Sequence, residues 1–221
     1  MVGYRYKNTH GIRQTLEGAT VAGALLAAAL SMASPSTAAD NGYALTVYGG
    51  YRGGGSFTDA DTDQGLKLDS NGAVSLALDL PYDEARQYQI FASQQRTELV
   101  LDSAASAGGS RLPMDIYYLH FGGTFFWDGQ AGKGAYVVGG LGATLFNPGQ
   151  GYKSELYPSI NVGFGYQWLL GSMFAVRAEA RGYGTLVNSS GGVFCSGGCV
   201  VSIKGDSIGQ GELMLGLVAR Y

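Results

Sequence analysis

The stretch GELMLGLVARY, Gly211 to Tyr221, ends the sequence. Leu213, Leu215, Leu217, Ala219 and Tyr221 take every second position, while Gln210, Glu212, Gly216 and Arg220 fall on the alternate ones. A period of two makes this a β-strand with two unlike faces. It carries its apolar ladder into the final residue, an aromatic.

Period two recurs through the chain, between clusters of Gly, Asp, Ser and Asn that read as turns. Seven further strands follow from it. They are Tyr43 to Arg52; Leu66 to Leu80, clearest from Ala73; Arg86 to Leu99; Ile116 to Trp127; Gly134 to Phe146; Leu156 to Leu170; and Met173 to Val187. The closing strand then spans Ser207 to Tyr221. The chain has 37 glycines and 5 prolines, which suits a sheet protein with many turns.

Residues 1–39 read differently. Arg5, Lys7 and Arg13 precede the alanine-rich run Ala19 to Ala33, and small residues follow to Ala39. A charged start, a short apolar core and a small-residue exit make a secretory signal peptide. The run is too short for a membrane-spanning helix. The expected organisation is a signal peptide over 1–39 and one domain over 40–221. Three of the 14 basic residues lie in the first segment and one of the 17 acidic ones, so the remainder is more acidic than the whole chain, whose net charge is −3. No concentrated basic patch is available for phosphates, which excludes nucleic acid as a partner.

Alternation alone does not say which face of the sheet is wet. In Met173 to Val187, Phe174, Val176, Ala178 and Ala180 oppose Arg177, Glu179, Arg181 and Tyr183. In Leu156 to Leu170, Ile160, Val162, Phe164, Tyr166 and Trp168 oppose Ser159, Asn161 and Gln167. A soluble barrel turns the apolar face inward; a transmembrane barrel turns it outward. Aromatic placement decides between them. With the first strand's start and the tight turns on one rim, Tyr43, Tyr82, Phe125, Trp127, Tyr166, Trp168, Phe174 and Tyr221 gather there, as in the interfacial girdle of a transmembrane barrel. The connections on that rim are short and those on the opposite rim long, the asymmetry of outer-membrane barrels. Closure is required, since every backbone group in lipid must be paired. The expected fold is all-β, an eight-stranded antiparallel up-and-down transmembrane β-barrel.

With these strands, girdle and loops, residues 41–221 resemble the small eight-stranded outer-membrane barrels of Gram-negative bacteria, the OmpA/OmpX-like group. The resemblance rests on architecture. It implies an outer-membrane location among lipid and lipopolysaccharide. It also implies that Leu213, Leu215, Leu217, Ala219 and Tyr221 act as the terminal signal read by the barrel-assembly machinery. No peptidoglycan-binding domain is expected after the barrel.

The polar face supplies the candidate chemistry. Arg177, Glu179, Arg181, Glu212, Arg220, Gln89, Gln167, Asn161 and His120 are expected in a lumen about wide enough to be filled by side chains. Buried charges need partners. The favoured reading is an ion-pair plug, in which Arg177 pairs with Glu212; the alternative is a gate over a narrow pore. His120 is the one histidine after residue 39. Outer-membrane lipid A deacylases, which resemble this chain in size, carry a histidine followed two residues on by serine; here Gly122 holds that place. No nucleophile, base and orienter set is apparent, so no catalytic residue and no cofactor are expected.

Cys195 and Cys199, in FCSGGC, lie in the longest outer loop and are expected to form a disulfide in an oxidising compartment. Two cysteines without a nearby histidine make a poor zinc site. Asp59, Asp61 and Asp63 match the opening of an EF-hand loop, but the glycine falls one place late at Gly65, and Ser70 stands where a bidentate glutamate is needed. No metal site is expected. The functional expectation is a plugged, non-enzymatic barrel acting in membrane integrity or in contact with an unknown extracellular partner through its outer loops. A narrow channel and a lipid A-modifying enzyme are the alternatives.

Overall fold

A computed structural model describes residues 42–59, 65–101, 111–148, 153–187, 193–195, 199–201, 203–204 and 207–221. The expected signal peptide, Asp61 and Asp63 lie outside these residues. In chain order the strands are β1 (Ala44–Gly54), β2 (Ser56–Asp59), β3 (Gly65–Leu68), β4 (Asn71–Pro81), β5 (Arg86–Leu101), β6 (Arg111–Phe126) and β7 (Gly134–Pro148). They continue as β8 (Glu155–Leu169), β9 (Phe174–Leu186), β10 (Val193–Cys195), β11 (Cys199–Val201), β12 (Ile203–Lys204) and β13 (Ser207–Arg220).

Eight of these close into a ring. The order β1-β4-β5-β6-β7-β8-β9-β13 is antiparallel at every step, and β13 returns to β1 from Ala44↔Arg220 to Gly54↔Gln210. Closure removes the sheet edges that would otherwise be left unpaired. The fold is an eight-stranded up-and-down antiparallel barrel. No helix among the described residues is long and apolar enough to cross a membrane, which says nothing about strands.

The eight strands fall where the sequence alternation places them, with differences at the long-loop ends. The segment from Leu66 to Leu80 is two strands: β3 ends at Leu68, and β4 starts at Asn71 and pairs with β1. β6 begins at Arg111, five residues before the expected Ile116. β2, β3 and β12 extend the sheet beyond the ring, with β3 on the outer end of β5 through Leu68↔Leu99. The long strands run to 16 residues, against the roughly 9 to 11 that a tilted span needs. Their surplus lies at the long-loop end.

The barrel is inside-out relative to a soluble one. Leu141 and Leu213 are 70% exposed, Val162 68% and Phe164 64%, all on the outer face. Arg52, Asp79, Arg177, Arg181, Glu179 and Glu212 are buried in the lumen. An apolar exterior this continuous exceeds what a soluble monomer exposes.

Lumen-facing glycines make room for long side chains to cross a strand. Tyr48 on β1 lies opposite Gly216 on β13, and Tyr136 on β7 lies opposite Gly165 on β8. A Cβ at Gly216 would stand 2.6 Å from Tyr48 Cδ1, and one at Gly165 2.6 Å from Tyr136 Cζ. Each ring lies over its glycine, as in the aromatic covering of glycine between paired strands.

The short turns are held locally. Between β4 and β5, Arg86 Nε donates to Asp83 Oδ2 at 2.7 Å, and the Ala85 and Arg86 amides donate to Asp83 Oδ1 at 3.0 and 2.8 Å. The Arg86 side chain foremost, with these amides, holds the Asp83 carboxyl below its ordinary 3.8. A lowered folded-state value contributes order that is present above 3.8 and lost as pH falls through the lowered one. NMR titration of the refolded barrel is expected to place the Asp83 midpoint below 3.8, with loss of the Ala85 and Arg86 turn geometry on further acidification; a midpoint at or above that value contradicts the turn described. For the barrel itself, Gly216→Ala and Gly165→Ala are each expected to destabilise by about 1–3 kcal/mol in urea unfolding from lipid vesicles, since the ring must move off its seat and, at Gly165, the Ala178 carbonyl oxygen also stands 2.6 Å from the added Cβ. Gly209→Ala, where a Cβ meets nothing within 4 Å, is the control.

Candidate functional site: the charged lumen

Three arginines and three carboxylates occupy the middle of the barrel, all buried. Strand alternation turns them inward: Arg177, Glu179 and Arg181 from β9, Arg52 from β1, Asp79 from β4 and Glu212 from β13. Two clusters divide them.

The lower cluster, toward the short turns, centres on Glu179. Tyr136 Oη donates to Glu179 Oε2 at 2.6 Å and Tyr48 Oη to the same oxygen at 3.1 Å, while Arg181 Nε donates to Oε1 at 2.6 Å. Arg177 Nη1 stands 2.8 Å from Asp79 Oδ2, and its Nε donates to Gln167 Oε1. Asp79 Oδ1 accepts from Gln89 Nε2 at 2.8 Å, and Gln89 Oε1 accepts from Arg181 Nη2 at 2.9 Å. The Arg181 guanidinium sits 3.8 Å from the Phe91 ring centroid. β5 and β9 are on opposite sides of the ring, so the Gln89–Arg181 bond crosses the lumen.

The upper cluster centres on Arg52. Its Nη2 meets Glu212 Oε2 at 2.7 Å and its Nε donates there at 3.0 Å. Tyr183 Oη donates to the same oxygen at 2.6 Å. The guanidinium lies 4.6 and 4.9 Å from the Tyr183 and Tyr118 centroids. Cation–π contact of this kind suits a desolvated arginine.

The pairing differs from the sequence expectation. Glu212 pairs with Arg52, and Arg177 with Asp79. The β9–β13 register sets Arg177 opposite Gly216 and Glu212 opposite Arg181, so Arg177 and Glu212 lie at different heights. Sequence reasoning missed Asp79, which sits in LALDL beside a turn, and Arg52, which precedes a glycine-rich loop. Inward parity marks both, once the strand register is known.

The other expected residues take varied places. Gln167 bridges Arg177 and the Gly132 carbonyl, the latter at 2.6 Å. Asn161 is buried with its Nδ2 beside Gly140, outside both ion clusters. Arg220 is half-buried at the short-turn mouth. His120 Nε2 meets Ser159 Oγ at 2.9 Å across Gly142, and its ring stacks on Tyr118. That is the spacing of a nucleophile and a base, yet both groups are buried and Nδ1 has no hydrogen-bond partner to orient the ring. No group of three or more metal-ligating side chains occurs among the described residues. Tyr43, Tyr82, Phe125, Trp127, Tyr166, Trp168, Phe174 and Tyr221 are exposed at the short-turn rim, and Leu213, Leu215 and Leu217 are exposed on the outer face of β13. β10 and β11 pair with Cys195 opposite Cys199; the cysteine side chains lie outside the described residues.

Side chains fill the lumen at one end, and a turn partly covers it at the other. At the long-loop end, Leu68, Leu99, Leu112, Met114, Phe146, Val187 and Ile208 form an apolar core inside the ring. At the other end the β6–β7 turn folds over the mouth: Ala131 donates its amide to the Glu84 carbonyl at 2.6 Å and packs against Phe126, Tyr136 and Val138. Gly129, Gly132 and Gly134 have φ of 71°, 83° and 85°, which this fold-over needs.

Among solved structures the chain is similar to Neisserial surface protein A (NspA), at 10% identity and a TM-score of 0.54 over 81% of this chain and 97% of that one. The fold is that of the small eight-stranded outer-membrane barrels. The outer membrane protein OprG from Pseudomonas aeruginosa matches at 9% identity and a TM-score of 0.48, over 80% of this chain and 95% of that one. Ail, the attachment invasion locus protein of Yersinia pestis, solved in complex with the heparin analogue sucrose octasulfate, matches at 18% identity and a TM-score of 0.44, over 81% and 99%. No family model matches the sequence, and no curated protein matches it.

A double-mutant cycle checks the pairing. Asp79→Asn alone is expected to cost about 3–5 kcal/mol, because Arg177 is left as a buried charge without its counter-ion. Asp79→Asn with Arg177→Gln is expected to recover much of that loss. Arg52 and Glu212 should couple likewise, and Arg177 with Glu212 should not.

Proposed function

We propose that this chain is an outer-membrane barrel, exported through residues 1–39, that acts in membrane integrity or surface interaction through its outer loops and is not an enzyme. The observation that carries the reading is the filled lumen. An apolar core and two charge clusters follow one another along the axis and fill it with side chains, and a folded-over turn lies across the short-turn mouth. The outward apolar band and the exposed aromatics at the short-turn rim support burial in lipid, with the girdle residues from Tyr43 to Tyr221 at headgroup level. The Arg96–Asp115 pair on the outer face at 3.5 Å, near the long-loop end, suits a level beyond the hydrocarbon. In this reading Leu213, Leu215, Leu217, Ala219 and Tyr221 serve as the signal for the barrel-assembly machinery. A Cys195–Cys199 bridge would pin the tip of the last outer loop, the surface offered to an extracellular partner.

The test is conductance. The refolded chain, its insertion verified by a boiled-against-unboiled gel shift, is expected to be silent in a planar bilayer. Discrete steps that change on Asp79→Asn would make the charged lumen a gate and the protein a narrow channel. Altered lipid A that His120→Ala abolishes would make it an enzyme.

A further inference from the structure

The short-turn mouth holds a cavity of about 520 Å³, within the range of small-ligand sites. Its two ends carry opposite charge. Glu84 and Asp83 line it from the β4–β5 turn, and Arg220 lines it from the end of β13. Around the ring, β1 and β4 separate those ends, and Ala44 and Pro81 give an apolar floor between them. Asp83 is already taken by Arg86, which leaves Glu84 as the carboxylate that a ligand meets.

A second observation points to a ligand. Gln87 also lines this cavity and is 5% exposed. Its Nε2 donates to the Gly42 carbonyl at 3.2 Å, which fixes the amide, while its Oε1 is buried with no hydrogen-bond partner. A buried acceptor without a donor is costly and rare. Gln87 stands at the start of β5, three residues after Glu84, and both line the cavity, so a donor that approaches Glu84 can reach it as well.

We propose that this mouth binds short peptides with free termini. The ammonium group donates to Glu84 and to Gln87 Oε1, the carboxylate takes Arg220, and a small side chain lies over Ala44 and Pro81. The spacing fits a peptide. Three strand steps separate the ends, ~15 Å of backbone, of which the side chains of Glu84 and Arg220, both lining the cavity, take up a part; two or three extended residues span ~7–10 Å. The site uses the geometry of the mouth alone and does not depend on whether the lumen conducts. In the outer-membrane reading the mouth faces the periplasm.

The test uses the refolded chain in detergent micelles, with trialanine, N-acetyl-trialanine and trialanine amide as probes, followed by amide NMR shifts and calorimetry. Trialanine is expected to shift the Gly42, Gln87 and Gly132 amides. Each blocked form is expected to bind about tenfold more weakly, the loss of one charge-assisted contact. Glu84→Gln, a substitution in an exposed turn, should remove the preference for the free ammonium and keep the preference for the free carboxylate. No shift with trialanine, or equal binding of all three peptides, overturns the proposal. Shifts confined to the outer loops overturn it as well.

Discussion

A charge placed inside a narrow barrel has no water to fall back on, and the arrangement of this lumen follows from that. Glu179 shows how the demand is met. It collects two tyrosine hydroxyls and one guanidinium, and the tyrosines come from opposite sides of β9. Each must cross an intervening strand, and each crosses where that strand carries a glycine. His120 reaches Ser159 over Gly142 in the same way. The glycines therefore do more than loosen the sheet: they are the gaps through which polar groups on alternate strands meet. The pairing costs backbone entropy at those positions, offset by charges that would otherwise stand unpartnered.

The axial order of the lumen follows from the same constraint. Strands longer than a bilayer span carry inward-facing residues past the membrane level. At the long-loop end those residues are apolar and pack as an ordinary core, because the ring is narrow enough for side chains to meet across it. In the middle, inward positions are polar and the outward ones apolar. At the short-turn end the β6–β7 turn bends inward and its Ala131 completes a small apolar cluster. One sheet thus has three interiors, set by which residues its inward parity supplies at each height.

Much of this was legible in the sequence. The faces of β8, β9 and β13 were readable from parity alone, since polar and apolar residues separate cleanly there, and so was the aromatic rim. What escaped is what depends on register. Arg177 and Glu212 are on neighbouring strands and of opposite charge, yet stand at different heights. Asp79 and Arg177 are three strands apart in the ring, so no local pattern links them. Asp79 also follows a leucine-rich run and precedes a turn, where a carboxylate is ordinary. The His120–Ser159 contact needs Gly142 between them, which a sequence does not advertise. The break between β3 and β4 was hidden because Leu66 to Leu80 keeps its alternation while the chain changes partners.

The way the charges are tied argues for a plug over a gate. A gate needs a group that swings between two sets of partners of similar strength. Here Arg181 is held at once by Glu179, by Gln89 from the opposite wall and by the Phe91 ring. Arg52 is clasped by Glu212 between two tyrosine rings. Moving either guanidinium strands a buried carboxylate on the wall it leaves, at about 3–5 kcal/mol for each broken pair. The apolar core above must part as well before anything passes. A structure with those costs in series favours one state.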